Sequence, residues 1–218
     1  MLTFSQQHQV RQGHRLLLVE GDDIGRLPRR LDAMYRVNPH FLFNALNSIE
    51  ALSREAPARI PELVRGLSEY LRHLLRTTKD GLTTLQQEMD AVAGYVRVEK
   101  IRFEDQLQFE LEIAEAARRR CIPEFLLQSL VENAVVNGMR TSPMPLRVVV
   151  SARCLDGRIL LEVRNTGTWR ASKVDGDSWL ENLQRRLDLV YKEDGYRLTT
   201  GETAEWSSIT VDMPASEE

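Results

Sequence analysis

Apolar residues recur at spacings of three and four from Leu27 through Leu31, Met34, Phe41, Ala45 and Leu52, the period of one helix face. The pattern predicts a long helix over 27–56. Pro57 and Pro61 punctuate it, and Ile60, Leu63, Val64, Leu67, Tyr70, Leu71, Leu74 and Leu75 resume the period until Lys79-Asp80-Gly81. Two amphipathic helices with a short connection predict an antiparallel hairpin. A hairpin alone cannot close a core, so burying both apolar faces calls for a second copy and a dimeric four-helix bundle. A third helix is expected over about Thr84 to Phe103.

After Asp105 the pattern changes. Leu107-Gln108-Phe109-Glu110-Leu111-Glu112-Ile113 alternates as a half-buried strand does. Pro123 and the apolar face from Glu124 to Ala134 predict a helix. Leu146 to Ala152, Ile159 to Val163 and Ile209 to Met213 are strand-like, Gly157 is a turn residue between the first two, and Trp179 to Tyr191 is helical. The expected fold is α+β: a helical hairpin followed by a two-layer α/β sandwich. Three segments follow: 1–25, which carries no assignment, 26–104, the helices, and 105–218, the sandwich.

Composition narrows the classes. Hydrophobic residues at 42% and charged residues at 28% suit a soluble globular chain of 218 residues. A net charge of −3 gives no electrostatic case for nucleic acid or a membrane surface. The two cysteines, Cys121 and Cys154, lack the spacing of a zinc site or a disulfide framework and fit a reducing, cytoplasmic setting. No run is long and apolar enough to span a membrane, so any membrane sensor is expected outside this chain.

The candidate chemistry begins at Asn38-Pro39-His40-Phe41-Leu42-Phe43-Asn44. Proline inside a helical pattern removes a backbone donor and bends the helix, and His40 follows directly. On a helix, His40 shares a side with Arg36 and Asn44, away from Phe41 and Ala45, so it is expected to face solvent. A neutral imidazole is a competent nucleophile. The alternative is a structural histidine at a kink, and spacing does not separate the two.

The segment from Asn38 to Asn44, with Ala45-Leu46-Asn47-Ser48-Ile49 after it, resembles the phosphoacceptor box of the LytS/YehU sensor histidine kinases. Glu69 to Arg72, Leu85 to Glu88, Tyr95 to Phe103 and Ile122 to Ala134 are similar to further blocks of that family, in the same order. The resemblance implies that His40 is phosphorylated in a dimeric hairpin, and that the second domain is a GHKL (Bergerat) ATPase fold binding ATP and Mg²⁺. Its N box matches Glu132 to Gly138: Asn133 would hold the metal, Glu132 would polarise or orient the attacking group, and Asn137 would face the phosphates. The implied partners are a homodimer mate and a response regulator of the LytTR DNA-binding kind.

The other nucleotide elements depart from the family pattern. Asn165, in Val163-Arg164-Asn165-Thr166-Gly167, stands where an aspartate would accept from the adenine amino group, and a neutral acceptor is weaker. Asp177 and Trp179 take glycine places in the segment that includes Asn182, and Trp206-Ser207 replaces Gly-Thr before the last strand. Two expectations follow. Either ATP binds with altered geometry, Asn165, Gly167, Asn182 and Ser207 joining Asn133 and Asn137 while Trp169 to Ser178 orders as a lid, or the chain is an impaired pseudokinase acting as a dimeric scaffold. His73 is expected to be a solvated or packing residue.

Overall fold

The structure is a computed structural model, and it describes residues 11–12, 15–16, 38–75, 81–168, 173–174, 177–191, 195–214 and 216–217. Arg36, the first part of the expected 27–56 helix and most of the expected Trp169 to Ser178 lid lie outside these. The chain divides into two compact units, 1–42 and 43–218.

In the first unit, β1 (Arg11–Gln12) pairs antiparallel with β2 (Arg15–Leu16). Helix α1 (Pro39–Glu55) starts here. Asn38 is outside it and caps it: Asn38 Oδ1 accepts from Phe41 N at 3.2 Å. Proline thus stands at the first position of α1. The residue before proline is pushed out of the α region, and a missing N–H is harmless at the first position.

In the second unit, a 3-10 turn at Pro57–Arg59 separates α1 from α2 (Ile60–Leu74). Among the described residues α2 packs along α3 (Leu85–Phe103), not along α1, so the antiparallel neighbours differ from the expected hairpin. Glycine decides this. A Cβ on Gly66 would lie 3.0 Å from Gly94 O and one on Gly94 3.0 Å from Gly66 O, so only two facing glycines let the helices come this close. Thr84 starts α3 with a capping box, its hydroxyl accepting from Gln87 N while the Gln87 side chain accepts from Thr84 N.

A five-stranded sheet runs in the order β10-β11-β7-β6-β4, from β4 (Leu107–Ile113), β6 (Leu146–Leu155), β7 (Arg158–Thr166), β10 (Arg197–Glu202) and β11 (Trp206–Pro214). Only β4 and β6 pair in parallel, so the sheet is mixed. Asp156 (φ 50°) and Gly157 (φ 74°) close the β6–β7 hairpin with two left-handed residues, the geometry that suits the strand twist. The core lies on one face: Val148, Val150, Leu161, Val163, Ile209 and Val211 are buried there, and α5 (Leu126–Thr141) packs over β6 and β7. Gly138 admits this contact, since a Cβ there would collide with the Leu146 side chain. A short helix α4 (Glu115–Arg118) and a small sheet, β12 (Ser216–Glu217), β5 (Arg120–Pro123) and β3 (Leu82–Thr84), follow no alternation visible in the sequence. The ribbon of β8 (Lys173–Val174) with β9 (Asp177–Ser178) precedes α6 (Trp179–Tyr191), whose bounds match expectation.

Candidate functional site

Helix α5 carries most of the candidate residues, and its start is anchored from outside. Its N-cap, Phe125, is left-handed (φ 62°) and offers no side-chain cap. Glu88 of α3 replaces one: its carboxylate accepts from Phe125 N at 2.8 Å and Gln128 N at 3.3 Å. A buried acid at a helix N-terminus satisfies orphan donors and the positive end of the dipole. His73 Nε2 lies 3.0 Å from Glu88 Oε1, and both side chains are buried. The histidine is therefore a buried strut between α2 and the start of α5, not a solvated residue.

Successive positions on α5 point to different neighbours. Glu132 turns toward α2 and α3, where its Oε1 accepts from Tyr70 OH at 3.1 Å and from Gln128 Nε2 at 2.8 Å. Tyr95, Glu99 and Arg102 of α3 belong to the same cluster: Arg102 is bonded to both Glu99 oxygens at 2.9 and 2.6 Å. Burial pushes the Glu99 carboxyl up to about 7, Glu132 adds to that rise, and Arg102 opposes it. Burial, then the charges of Glu99 and Glu132, hold the Tyr95 phenol well above its ordinary range.

Asn133 begins the other face. Its Oδ1 accepts from Asn137 Nδ2 at 2.7 Å, one turn on, and Thr141 Oγ1 donates to Asn137 O at 3.0 Å and Thr168 O at 3.1 Å. Beside Thr141 stands Gly167, with φ 95°; a Cβ there would lie 2.7 Å from Thr141 Oγ1 and 2.8 Å from Ser142 N. Ser207 Oγ donates to Gly167 O at 2.7 Å, and Ser207 is paired with Asn165 across β11 and β7. Asn165 Nδ2 donates to Thr166 O at 2.8 Å, which leaves its oxygen as the acceptor end. Asn165 and Ser207 are 1% and 0% exposed, so they form the floor of this row.

The structure thus brings Asn133, Asn137, Asn165, Gly167 and Ser207 into one chain of contacts and directs Glu132 elsewhere. Asn182 is exposed on the first turn of α6, a helix tied to the start of α5 by Arg186, which donates to Ser129 Oγ at 3.1 Å and to Glu124 O. His40 is exposed at the second position of α1.

Trp206 does not enter the row, because alternation along β11 turns it to the sheet's open face. There Arg147 and Arg164 stack on its ring at 4.8 and 5.0 Å, over a cleft of about 110 Å³ that Gln108 and Glu110 also line. Trp179 is half-buried at the start of α6, and the Asp177 side chain lies outside the described residues.

The donor set suits Mg²⁺ and a nucleotide in kind. Mg²⁺ takes hard oxygen ligands and keeps several waters, and the half-buried amide oxygen of Asn133, steadied by Asn137, is an oxygen of that kind. Gly167 holds a place that any side chain would fill. Tyr70, Gln128 and Thr141 were not singled out from the sequence. Tyr70 lies in a quoted block, but only its neighbour across 62 residues gives it a role; Gln128 at i−4 from Glu132 and Thr141 at i+4 from Asn137 were visible as helix spacings.

Residues 31–107 match the family described as histidine kinase. The chain is 32% identical over 184 residues to the sensor histidine kinase BtsS of Escherichia coli K12, covering 84% of this chain and 33% of that protein. It is 33% identical over 168 residues to the sensor histidine kinase YpdA of the same organism, covering 72% and 30%. The sensor protein LytS of Enterococcus faecalis is 29% identical over 198 residues, covering 84% and 33%. The chain spans about a third of the length of the curated relatives it matches. Among solved structures, a bacterial phosphotransferase shares the fold at 16% identity, with a TM-score of 0.51, covering 89% of this chain and 98% of that one.

Proposed function

The chain belongs to the sensor histidine kinases of the LytS/YehU type, and on that premise we propose that it is an autokinase core that phosphorylates His40 with ATP. The observation that carries this reading is the row of uncharged groups from Asn133 through Asn137 and Thr141 to Gly167, with Asn165 and Ser207 beneath it. A polyanion is repelled by carboxylates and accepted by amides, hydroxyls and an open backbone. Residues 105–218 form the nucleotide-binding part and 26–104 the dimerisation and phosphotransfer part, with 1–25 unassigned.

Asn133 holds the metal, Asn137 keeps Asn133 in place and faces the phosphates, and Asn165 accepts from the adenine amino group. Gly167 lets the backbone approach the nucleotide, Ser207 pins the Gly167 carbonyl, and Asn182 reaches the nucleotide from α6. Bound Mg²⁺ neutralises charge on the phosphates as it develops in transfer. An imidazole nitrogen of His40 forms the N–P bond as the bond from the γ-phosphorus to its bridging oxygen breaks, and ADP leaves. Of the two roles open to Glu132, its oxygen already accepting from Tyr70 and Gln128 favours orienting over proton transfer.

A homodimer accounts for Phe43 (67% exposed) and Leu46 (55%), large apolar side chains on α1 that a second copy would cover. The phosphate then passes to an aspartate of a response regulator, with a LytTR output as the kind the family resemblance favours. A cytoplasmic setting follows from that chemistry.

The test is incubation of the purified chain with γ-labelled ATP and Mg²⁺ beside His40→Gln. Acid-labile, alkali-stable label that is absent from the variant is the expected result. Label that persists without His40 overturns the assignment of the acceptor.

A further inference from the structure

The cluster around Glu132 is poor material for stability alone. It buries Glu99 at 3% exposure and Tyr70 at 0%, and among the described residues the Gln128 Oε1 beside Glu132 is buried without a hydrogen-bond partner. An unpaired buried acceptor is destabilising, and apolar residues of similar volume often serve stability better than buried charge. What such a cluster supplies is direction. Tyr70 is rigidly set, packed beside Tyr95 with ring centroids 6.1 Å apart, one turn past the Gly66–Gly94 contact that fixes α2 on α3. Its hydroxyl reaches the residue next to the candidate metal ligand.

We propose that Tyr70 is a positioning residue for the nucleotide site: by donating to Glu132 it sets the rotation of α5 and so the place of Asn133. The coupling runs from α2, the helix that follows the His40 helix, into the helix that holds the nucleotide. A second strut, His73 to Glu88 to the α5 amides, fixes the start of that helix, so the two together define both its height and its rotation. The proposal rests on the reading of Asn133 as a metal ligand.

The groups around Glu132 include the Tyr70 phenol from α2, Gln128 from α5 itself, and Tyr95 and Glu99 from α3, with Arg102 paired to Glu99. Glu99 gains its charge as pH rises through about 7, which adds repulsion beside Glu132. Loss of the Tyr70 donor is therefore felt more in alkaline solution than in acid.

The experiment uses the full chain as wild type, Tyr70→Phe, Glu132→Gln and the double variant, with thermal melting to register folding. The readouts are the Mg²⁺ concentration for half-maximal His40 labelling and the initial rate, from pH 6 to 8.5. A hydrogen bond to a charged group predicts that Tyr70→Phe raises the half-maximal Mg²⁺ concentration about tenfold. The rise is larger at pH 8.5 than at pH 6, and the double variant is no worse than the worse single one. Additive losses, or an unchanged Mg²⁺ requirement at every pH, overturn the proposal while leaving the kinase reading intact. Absence of Mg²⁺-dependent labelling in the wild type overturns both. If Tyr70→Phe melts without a folded baseline, Glu132→Gln carries the test: it must raise the Mg²⁺ requirement and lose the pH trend, and failure to do so counts against the coupling.

Discussion

The two faces of α5 are built from different chemistry. Toward α2 and α3 it presents Glu132 to the Tyr70 phenol and to a second carboxylate, Glu99, which Arg102 pairs. Toward the end of β7 it presents Asn133, Asn137 and Thr141, none of which carries charge. A position one residue along a helix turns by about a quarter circle, so Glu132 and Asn133 are neighbours in sequence yet serve separate surroundings. Charge is kept where hydrogen-bond donors answer it and is absent from the row that runs from Asn133 through Asn137 and Thr141. The backbone follows the same division: the charged face is held by side chains, whereas the neutral face ends on Gly167, a left-handed residue pinned through its carbonyl by Ser207.

The largest disturbance of the neutral face is expected from Gly167→Val. Positive φ strains a β-branched residue, and its Cβ meets Thr141 and Ser142. Strain and overpacking together predict a loss of roughly 4 kcal/mol in urea unfolding. A loss under about 1 kcal/mol would mean that the two segments separate freely and the row is not a fixed cradle.

The charged face is sharpened by a smaller effect. Glu99 has its folded-state carboxyl raised from 4.5 to about 7, so the native state holds a proton that the unfolded state releases earlier. Its contribution is full below the unfolded value and is lost as pH rises through about 7. The loss amounts to roughly 3 kcal/mol across that window. Glu99→Gln removes the titration, so the fall in stability between pH 4.5 and 7.5 is expected to flatten. A slope identical to wild type would place the titrating group elsewhere.

Much of this was legible in the sequence where elements were long and one-sided. Trp179 to Tyr191 was read to its ends, and the alternation of Leu107 to Ile113 gave β4 its position and its inward side. The small sheet was not legible, since strands of two to four residues such as Leu82–Thr84 carry no measurable period. The partner of α2 was misread because periodicity shows that a face is apolar, not which helix meets it; the sign lay in Gly66 and Gly94, whose meaning depends on their facing one another. The same limit hid the pairing of Glu88 with His73. A buried carboxylate reads as a solvated one until the unfilled amides of Phe125 and Gln128 are found opposite it. Trp206 shows the reverse. It stands where the family pattern has glycine before the last strand, and the period of two along β11 puts it on the face opposite Ser207.

The site was legible only as a set of residue types. That Asn133 and Asn137 would join was implied by their spacing of four. That Thr141, Gly167 and Ser207 continue the same row depends on β7 and β11 ending beside the last turn of α5, which no local pattern states.

The central claim is that the uncharged row takes Mg·ATP, and calorimetric titration of the purified chain with ATP, with and without Mg²⁺, beside Asn133→Ala, tests it most directly. The account predicts saturable binding that Mg²⁺ strengthens and a loss of about tenfold or more in the variant, as for a removed ligand with its supporting bond. Heats that show no binding at several millimolar ATP, or equal affinity in wild type and Asn133→Ala, would contradict it.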